Sequence, residues 1–438
     1  MRDLRPIHDA RPILLANARV IDPSRDFDAH GDLLIADGVV KDFAVNLKSA
    51  GLPEGTEIVD CRHLIAVPGL VDMRAFIGEP GAEHRETLAS ASQAAAAGGV
   101  TTIICQPETD PIIDEPAIVD FVMRRARDTA IVNVLPMAAL TKRLEGREMT
   151  EIGLLREAGA VAFTDGTHSV GSAQVLRRAL TYGRDFDALI VHHTEDKSLA
   201  GEGVMNEGEL ASRLGLAGMP KAAETIVFER DVRLASITGG RYHAASLTCP
   251  ESLEVLRRAK DAGLNVTASA SINHLTLNER DVVGYRTFFK LTPPLRSEDD
   301  RMALVQAVAE GLIDVVVSDH DPQDVDVKRL PFSEAAFGAI GLETMLAAGL
   351  RLVNDGTLPL MALIRAMSTR PAELLGLPAG SLRPGSPADI ALIAPDEAWI
   401  LDAANLKSRC RNTPFDEARF EGRVVRTLVA GRTVYEYV

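Results

Sequence analysis

Four short stretches of this 438-residue chain carry side chains able to hold a metal ion or move a proton. Val191-His192-His193-Thr194-Glu195-Asp196 offers His193 as an imidazole ligand, and Phe163-Thr164-Asp165-Gly166 offers the Asp165 carboxylate. Arg241-Tyr242-His243-Ala244-Ala245-Ser246 and Val316-Val317-Ser318-Asp319-His320-Asp321-Pro322 supply His243, Ser246 and Asp319. Each run begins with residues that favour strands, so each presents its polar group at a strand end. Imidazoles two apart on one strand face the same way and can grip one metal, and ligands from other strands complete a site that lowers the pKa of bound water. A further strand offers Arg74 and Phe76 at that spacing, and neither side chain ligates zinc.

Every one of these residues also has a plain structural explanation. A lone histidine beside an apolar strand is more often a hydrogen-bonded core or cap residue than a ligand. Asp165 before Gly166 suits a turn or a helix cap. For Asp319 that explanation is weaker, because a carboxylate at the end of a buried strand needs a partner, either a metal or an arginine.

The elements that must position these residues are legible from the pattern. Short β-branched runs ending near Phe76, Gln106, Met137, Asp165, His193, Ser246, Ser271 and His320 alternate with helical stretches. Those stretches are Glu83–Ala97, Pro116–Arg127, Glu151–Ala158, Ala173–Tyr182, Lys221–Arg230, Glu251–Ala262, Ser297–Glu310 and Leu342–Asn354. Ser297-Glu298-Asp299-Asp300 caps one helix start and Gly98-Gly99 follows one helix end. Eight βα units predict an α/β protein built on a (β/α)₈ TIM-type barrel, whose active site lies at the C-terminal ends of the strands. An open doubly wound sheet is the alternative, and no Gly-rich phosphate turn follows the first strand. Short strand-like pieces within 11–66 and 383–438 cannot bury both faces alone. They are expected to pair into a small β-sandwich of residues 1–67 and 377–438, beside a barrel of residues 68–376.

Composition sets the outer limits. The chain is 46% apolar and 25% charged, ordinary for a globular protein long enough for one large and one small domain. A net charge of −15 argues against nucleic acid or an anionic membrane surface as a partner. No apolar run approaches the roughly 18 residues that span a bilayer. Met1-Arg2-Asp3-Leu4-Arg5-Pro6 lacks the apolar centre of a signal peptide, so a cytoplasmic location is expected. Cys61, Cys105, Cys249 and Cys410 lack paired spacing, which fits reduced thiols rather than a disulfide frame or a thiolate zinc site.

Val67-Pro68-Gly69-Leu70-Val71-Asp72-Met73-Arg74-Ala75-Phe76-Ile77-Gly78-Glu79-Pro80-Gly81 resembles the first barrel strand of the dihydroorotases, which reads PGLVD-x-H-x-H-x-R-E-P-G. The resemblance extends along nearly the whole chain. It includes Ala94–Thr102, His193-Thr194-Glu195-Asp196, Gly203–Gly208, Leu214–Pro220, Pro293-Pro294-Leu295-Arg296, Ser318-Asp319-His320, Phe337–Thr344 and Arg411–Phe415. The chain is similar to the longer bacterial type of this cyclic amidohydrolase family. That resemblance implies zinc-dependent, reversible hydrolysis of the cyclic amide of dihydroorotate to carbamoyl aspartate, in pyrimidine biosynthesis.

The departures fall on the positions that the resemblance marks as functional. Arg74 and Phe76 stand for the two metal-binding histidines, and Gly78 stands for the arginine that takes the substrate carboxylate. Glu108 replaces the substrate-facing asparagine, Ser246 the second histidine of strand six, Thr292 the asparagine before P-P-L-R, and Gln323 a histidine. His243 matches the strand-six histidine not expected to bind metal. The strand-four element is one residue shorter than the family's S-D-D-G, so Asp165 stands for either aspartate. The residual metal positions are His193, Asp319 and Asp165, with Asp319 as the vestigial general base. Arg74 is expected to put its guanidinium where the metal would sit and pair with Asp319, while Phe76 fills volume. The first expectation is therefore a degenerate, non-catalytic member that needs no cofactor. The resemblance implies aspartate carbamoyltransferase as its partner in a hetero-oligomer, with a homodimer as a further possibility. The second is an active dihydroorotase using zinc at His193 and Asp319. The third is an amidohydrolase with another substrate, binding a cationic group at Glu108 or Asp321.

Overall fold

The computed structural model describes residues 11–437, and the opening segment Met1–Pro6 read above lies outside the described residues. Its centre is a closed parallel barrel. Leu70–Ala75, Val100–Cys105 and Asn133–Pro136 form the first three strands, and Ala138–Ala139 continues the third. Phe163–Thr164, Leu189–His193, Arg241–Ala245, Val266–Ser271 and Val315–Val317 complete the circuit. Strand eight meets strand one where the Phe76 N–H donates to the His320 carbonyl at 2.8 Å, beside a parallel bridge between Ala75 and His320. Seven of the eight strand ends expected from sequence fall within a residue or two of these, and the eighth, expected near His320, lies three residues past Val317.

The barrel interior is filled by Met73, Ile104, Met137, Ala162, Leu189, Val191, Ala245, Val315 and Val317, one set of side chains from the alternating pattern. Residues on the opposite face, such as Ile103, Phe163, Ile190, Tyr242 and Ala268, join the larger core under the helices. Strand one departs from strict alternation. Its register with strand two shifts between Asp72 and Ala75. Such a bulge re-aims side chains near a barrel rim, and it leaves Met73 in the core while Arg74 lines the mouth.

The helices match the sequence pattern with three differences, the smallest being that the last starts at Met345 rather than Leu342. The first helix runs Leu88–Ala97 rather than starting at Glu83, because Thr87 and Ser90 close a reciprocal capping box just before it. Residues 77–86 are thereby left as a loop at the C-terminal end of strand one. The helix expected at Lys221–Arg230 extends over Ala222–Thr238 and stops at Gly239, which adopts φ of +68°.

Both chain ends build one sheet. Ile13–Asp22, Phe27–Ala36, Val39–Ala44, Glu57–Asp60 and Ile65–Pro68 come from the first end, and Ile390–Ile400, Arg419–Val429 and Arg432–Glu436 from the second. The ends join where Ile65–Pro68 pairs antiparallel with Ile390–Ile393. Asp389 ties this sheet to the bottom of the barrel: its carboxylate accepts from Ala430 N–H at 2.7 Å and from Asn133 Nδ2 at 3.1 Å.

Burial raises the Asp389 carboxyl to about 6, with those two hydrogen bonds opposing the shift. The folded protein therefore holds a proton that the unfolded chain releases between its ordinary pKa of 3.8 and about 6. Stability contributed by this group falls as pH rises through that window, by on the order of 2–3 kcal/mol. Urea unfolding at pH 4 and pH 7 should show Asp389→Asn losing less stability across the window than the native chain does.

Candidate active site

A cleft of about 380 Å³ opens at the C-terminal ends of the strands. Its lining includes Arg74 and Phe76 from strand one, Gln106 and Glu108 from strand two, His168 after strand four, and Asp319 and Asp321 after strand eight.

Arg74 and Asp319 are its central pair. Arg74 Nε donates to Asp319 Oδ1 at 2.7 Å, and the two side chains are only 9% and 13% exposed. Burial works against the guanidinium charge, but Asp319, Glu108 and Asp321 outweigh it and push its pKa up. Asp319 holds a left-handed backbone with φ of +53°, and Ser246 at the end of strand six does the same with φ of +56°. Non-glycine residues seldom adopt this conformation, and it concentrates at functional sites.

Glu108 lies near this pair. Its Oε1 accepts from Thr167 N–H at 2.9 Å and Thr167 Oγ1 at 2.5 Å, with His168 Nδ1 at 3.6 Å. Burial opposes its charge, yet His168, Thr167 and Arg74 together hold it below the usual carboxylate range. Arg85 donates to Asp321 Oδ1 at 2.6 Å and to the Pro322 carbonyl at 2.8 Å, with its guanidinium 3.9 Å from the centre of the Phe76 ring. Phe76 therefore forms a stacking floor for Arg85, where sequence suggested simple filler. Burial lifts Asp321 to about 6, with Arg85 opposing.

The other sequence-marked positions divide into two groups. Thr292 and Gln323 reach the cleft: Thr292 Oγ1 donates to Glu195 Oε2 at 3.3 Å, and Gln323 Nε2 donates to Asp321 Oδ2 at 3.1 Å. Gly78 does not. A Cβ there would lie 2.2 Å from the Ala82 carbonyl oxygen, so the tight turn leaves no room for the arginine that the resemblance puts at this place. Asp165, which sequence left between a metal position and a turn, has its two oxygens taken by Thr141 N–H at 2.8 Å and Thr141 Oγ1 at 2.5 Å, tying the loop after strand four to the one after strand three. His193 is buried, and neither ring nitrogen makes a hydrogen bond, although Nε2 lies 3.5 Å from Glu195 Oε2. Burial lowers His243 to about 4, and its Nδ1 is 2.8 Å from Thr267 Oγ1.

Arg85, His168 and Asn273 were not singled out from sequence. The Thr87-x-x-Ser90 cap signals that Arg85 precedes its helix, and Asp165-Gly166-Thr167-His168 reads as the loop after strand four. Asn273 sits directly past strand seven, buried with both ends of its amide unpartnered. Among the described residues, the buried side-chain polar atoms without a partner all belong to Arg74, Gln106, His193, Ser246, Asn273, His274 and His320. Every one is at or just past the C-terminal end of a barrel strand. Buried orphans are rare in proteins, so their concentration marks the barrel mouth as the site.

A family profile for dihydro-orotase-like proteins matches residues 63–252, and one for an amidohydrolase family matches residues 335–435. Dihydroorotases of Syntrophus aciditrophicus and Citrifermentans bemidjiense are 41% and 42% identical over 424 residues, spanning 97% of this chain and 99% of each relative. This chain belongs to the dihydroorotase family. Among solved structures, the L-hydantoinase of Arthrobacter aurescens is similar with a TM-score of 0.88 at 26% identity, covering 98% of this chain and 96% of that one. The D-hydantoinase of a Thermus species shares the fold with a TM-score of 0.83 at 22% identity, covering 97% and 95%.

The residues present at the mouth do not fit the zinc that the resemblance implies. Among the described residues, no three His, Cys, Asp or Glu side chains are grouped to hold a metal ion. A catalytic zinc takes three protein ligands. Here Asp319 faces a guanidinium and Asp165 faces Thr141, which leaves His193 with Glu195, whose Oε2 lies 3.5 Å from its Nε2, one ligand short of a catalytic site.

Removing one partner of a buried ion pair strands the other charge. Arg74→Met should lower unfolding stability by about 3–5 kcal/mol in urea titrations, and Arg74→Met with Asp319→Leu should recover most of that loss.

Proposed function

We propose that this chain is a non-catalytic member of the dihydroorotase family, serving pyrimidine synthesis through its surface. The observation that carries the reading is the Arg74–Asp319 pair at 2.7 Å. The carboxylate best placed to bind metal or act as a general base is already committed to a fixed cation. Without a metal, water at the mouth keeps its high pKa and is a poor nucleophile. The loss of an arginine at Gly78 and the presence of ionised Glu108 both work against a substrate that carries a carboxylate.

A second reading is supported by the relatives. Chains 41–43% identical over almost the full length bear the name dihydroorotase, which favours an active enzyme opening the cyclic amide of dihydroorotate. In that case zinc would have to be held at a mononuclear site around His193 and Asp319. The missing ligands weigh against it.

For the non-catalytic reading, the partner we propose is aspartate carbamoyltransferase in a hetero-oligomer, alongside or in place of a homodimer, in the cytoplasm. The resemblance to degenerate members of the family supports the partner. The acidic net charge of −15 and the absence, among the described residues, of any helix long and apolar enough to cross a membrane agree with the setting.

Purified protein assayed for dihydroorotate hydrolysis, with and without added zinc, should give no turnover above the blank. Immobilised protein should retain aspartate carbamoyltransferase from the same organism. Turnover dependent on zinc would replace this reading with the active-enzyme one.

A further inference from the structure

Three carboxylates share the barrel mouth. Glu108, Asp319 and Asp321 face two guanidiniums, Arg74 and Arg85, and the His168 imidazole, whose pKa Glu108 raises. The two oxygens of Asp321 are both used, by Arg85 and Gln323. Glu108 and Asp319 are each half used, because only Glu108 Oε1 and Asp319 Oδ1 accept hydrogen bonds. Among the described residues no donor reaches Glu108 Oε2 or Asp319 Oδ2. Both carboxylates line the same cleft of about 380 Å³, walled on other sides by Ile112, Leu144 and Leu291. That volume lies near the lower end of ordinary small-ligand pockets. A carboxylate oxygen without a donor inside a partly desolvated cleft attracts a cation much more strongly than one on an open surface.

We propose that this cleft binds a small organic cation, a primary amine or guanidine, whose N–H groups meet Glu108 and Asp319 and whose carbon chain packs on the apolar wall. The cation takes the opposite sign of charge from the carboxylate-bearing substrate of the family. Glu108 sets this selectivity. Its charge is stabilised by Thr167 and His168 at Oε1, while Oε2 rests beside Gly166 with no donor of its own and is the oxygen that accepts from the ligand. Hydrogen bonds between ionised partners are about twice as strong as neutral ones, so one charged head group suffices for selection. The proposal rests on the non-catalytic reading, because a zinc ion at Asp319 would itself occupy the oxygen left free for the ligand.

Isothermal titration of the full chain with putrescine, agmatine and N-carbamoyl-L-aspartate, on protein whose zinc content is measured alongside, tests it. In zinc-free protein, putrescine or agmatine should bind with a Kd below about 1 mM. N-carbamoyl-L-aspartate should give no heat of binding. Glu108→Gln keeps the acceptor for Thr167 and should weaken the cation at least tenfold. Ile112→Lys, which places an internal ammonium in the cleft, should do the same without touching either carboxylate. Zinc-free native protein that binds neither cation, or binds the dianion more tightly, overturns this proposal and leaves the non-catalytic reading standing. Two folded variants that bind the cation as well as the native chain overturn it too. A full complement of zinc overturns both.

Discussion

A carboxylate buried at the end of strand eight must be balanced by positive charge, and the site is organised around that requirement. Asp319 is 13% exposed and stands on a left-handed backbone that no glycine relieves. In a metal-dependent amidohydrolase a cation from solution would meet the need. Here the balancing charge is covalently part of the chain, carried by Arg74 on the neighbouring strand. The strand-one bulge that aims Arg74 at the mouth, the Phe76 ring that seats Arg85, and the Thr167–His168 cradle that keeps Glu108 ionised are all arranged about this one pair. A fixed guanidinium differs from a metal in an essential respect. It neutralises charge and donates hydrogen bonds, but it offers no open coordination position to activate water.

The scaffold does not depend on that substitution. Strand five is held by His192, whose Nδ1 meets Asp231 Oδ2 at 2.6 Å while Nε2 accepts from the Val170 N–H at 2.8 Å. Tyr242 and Arg230 complete the same buried network at 2.8 Å each. On strand one, Asp72 accepts from the Ser318 N–H at 3.1 Å and so binds the first strand to the eighth beneath the mouth. These contacts keep the strand ends in place whatever the mouth contains. A barrel stabilised from its wall and base can lose its chemistry without losing its shape.

Much of this was legible in the sequence because the relevant signals are local. The eight strand ends followed from β-branched runs, and the change of residue type at Arg74, Phe76, Gly78 and Ser246 was plain from the resemblance to the family's strand-one and strand-six patterns. The Arg74–Asp319 pairing followed from the adjacency of strands one and eight in a closed barrel together with the cost of an unpaired buried charge. What stayed hidden depended on three-dimensional neighbours. Asp165 looked like a ligand until Thr141, twenty-four residues away, was found on its oxygens. Arg85 fell inside the helix expected over Glu83–Ala97, and only the Thr87 cap puts it in the loop. Gly78 read as a lost arginine, whereas the turn to Ala82 shows that the backbone itself has closed over the position.

The most direct test of the account is the zinc content of protein purified without chelators, measured by mass spectrometry of the metals. A guanidinium in the place of the ion predicts well under one zinc per chain, persisting after incubation with zinc and removal of the excess. One or more tightly held zinc ions per chain would mean that Arg74 yields Asp319 to the metal, and the account would be wrong at its centre.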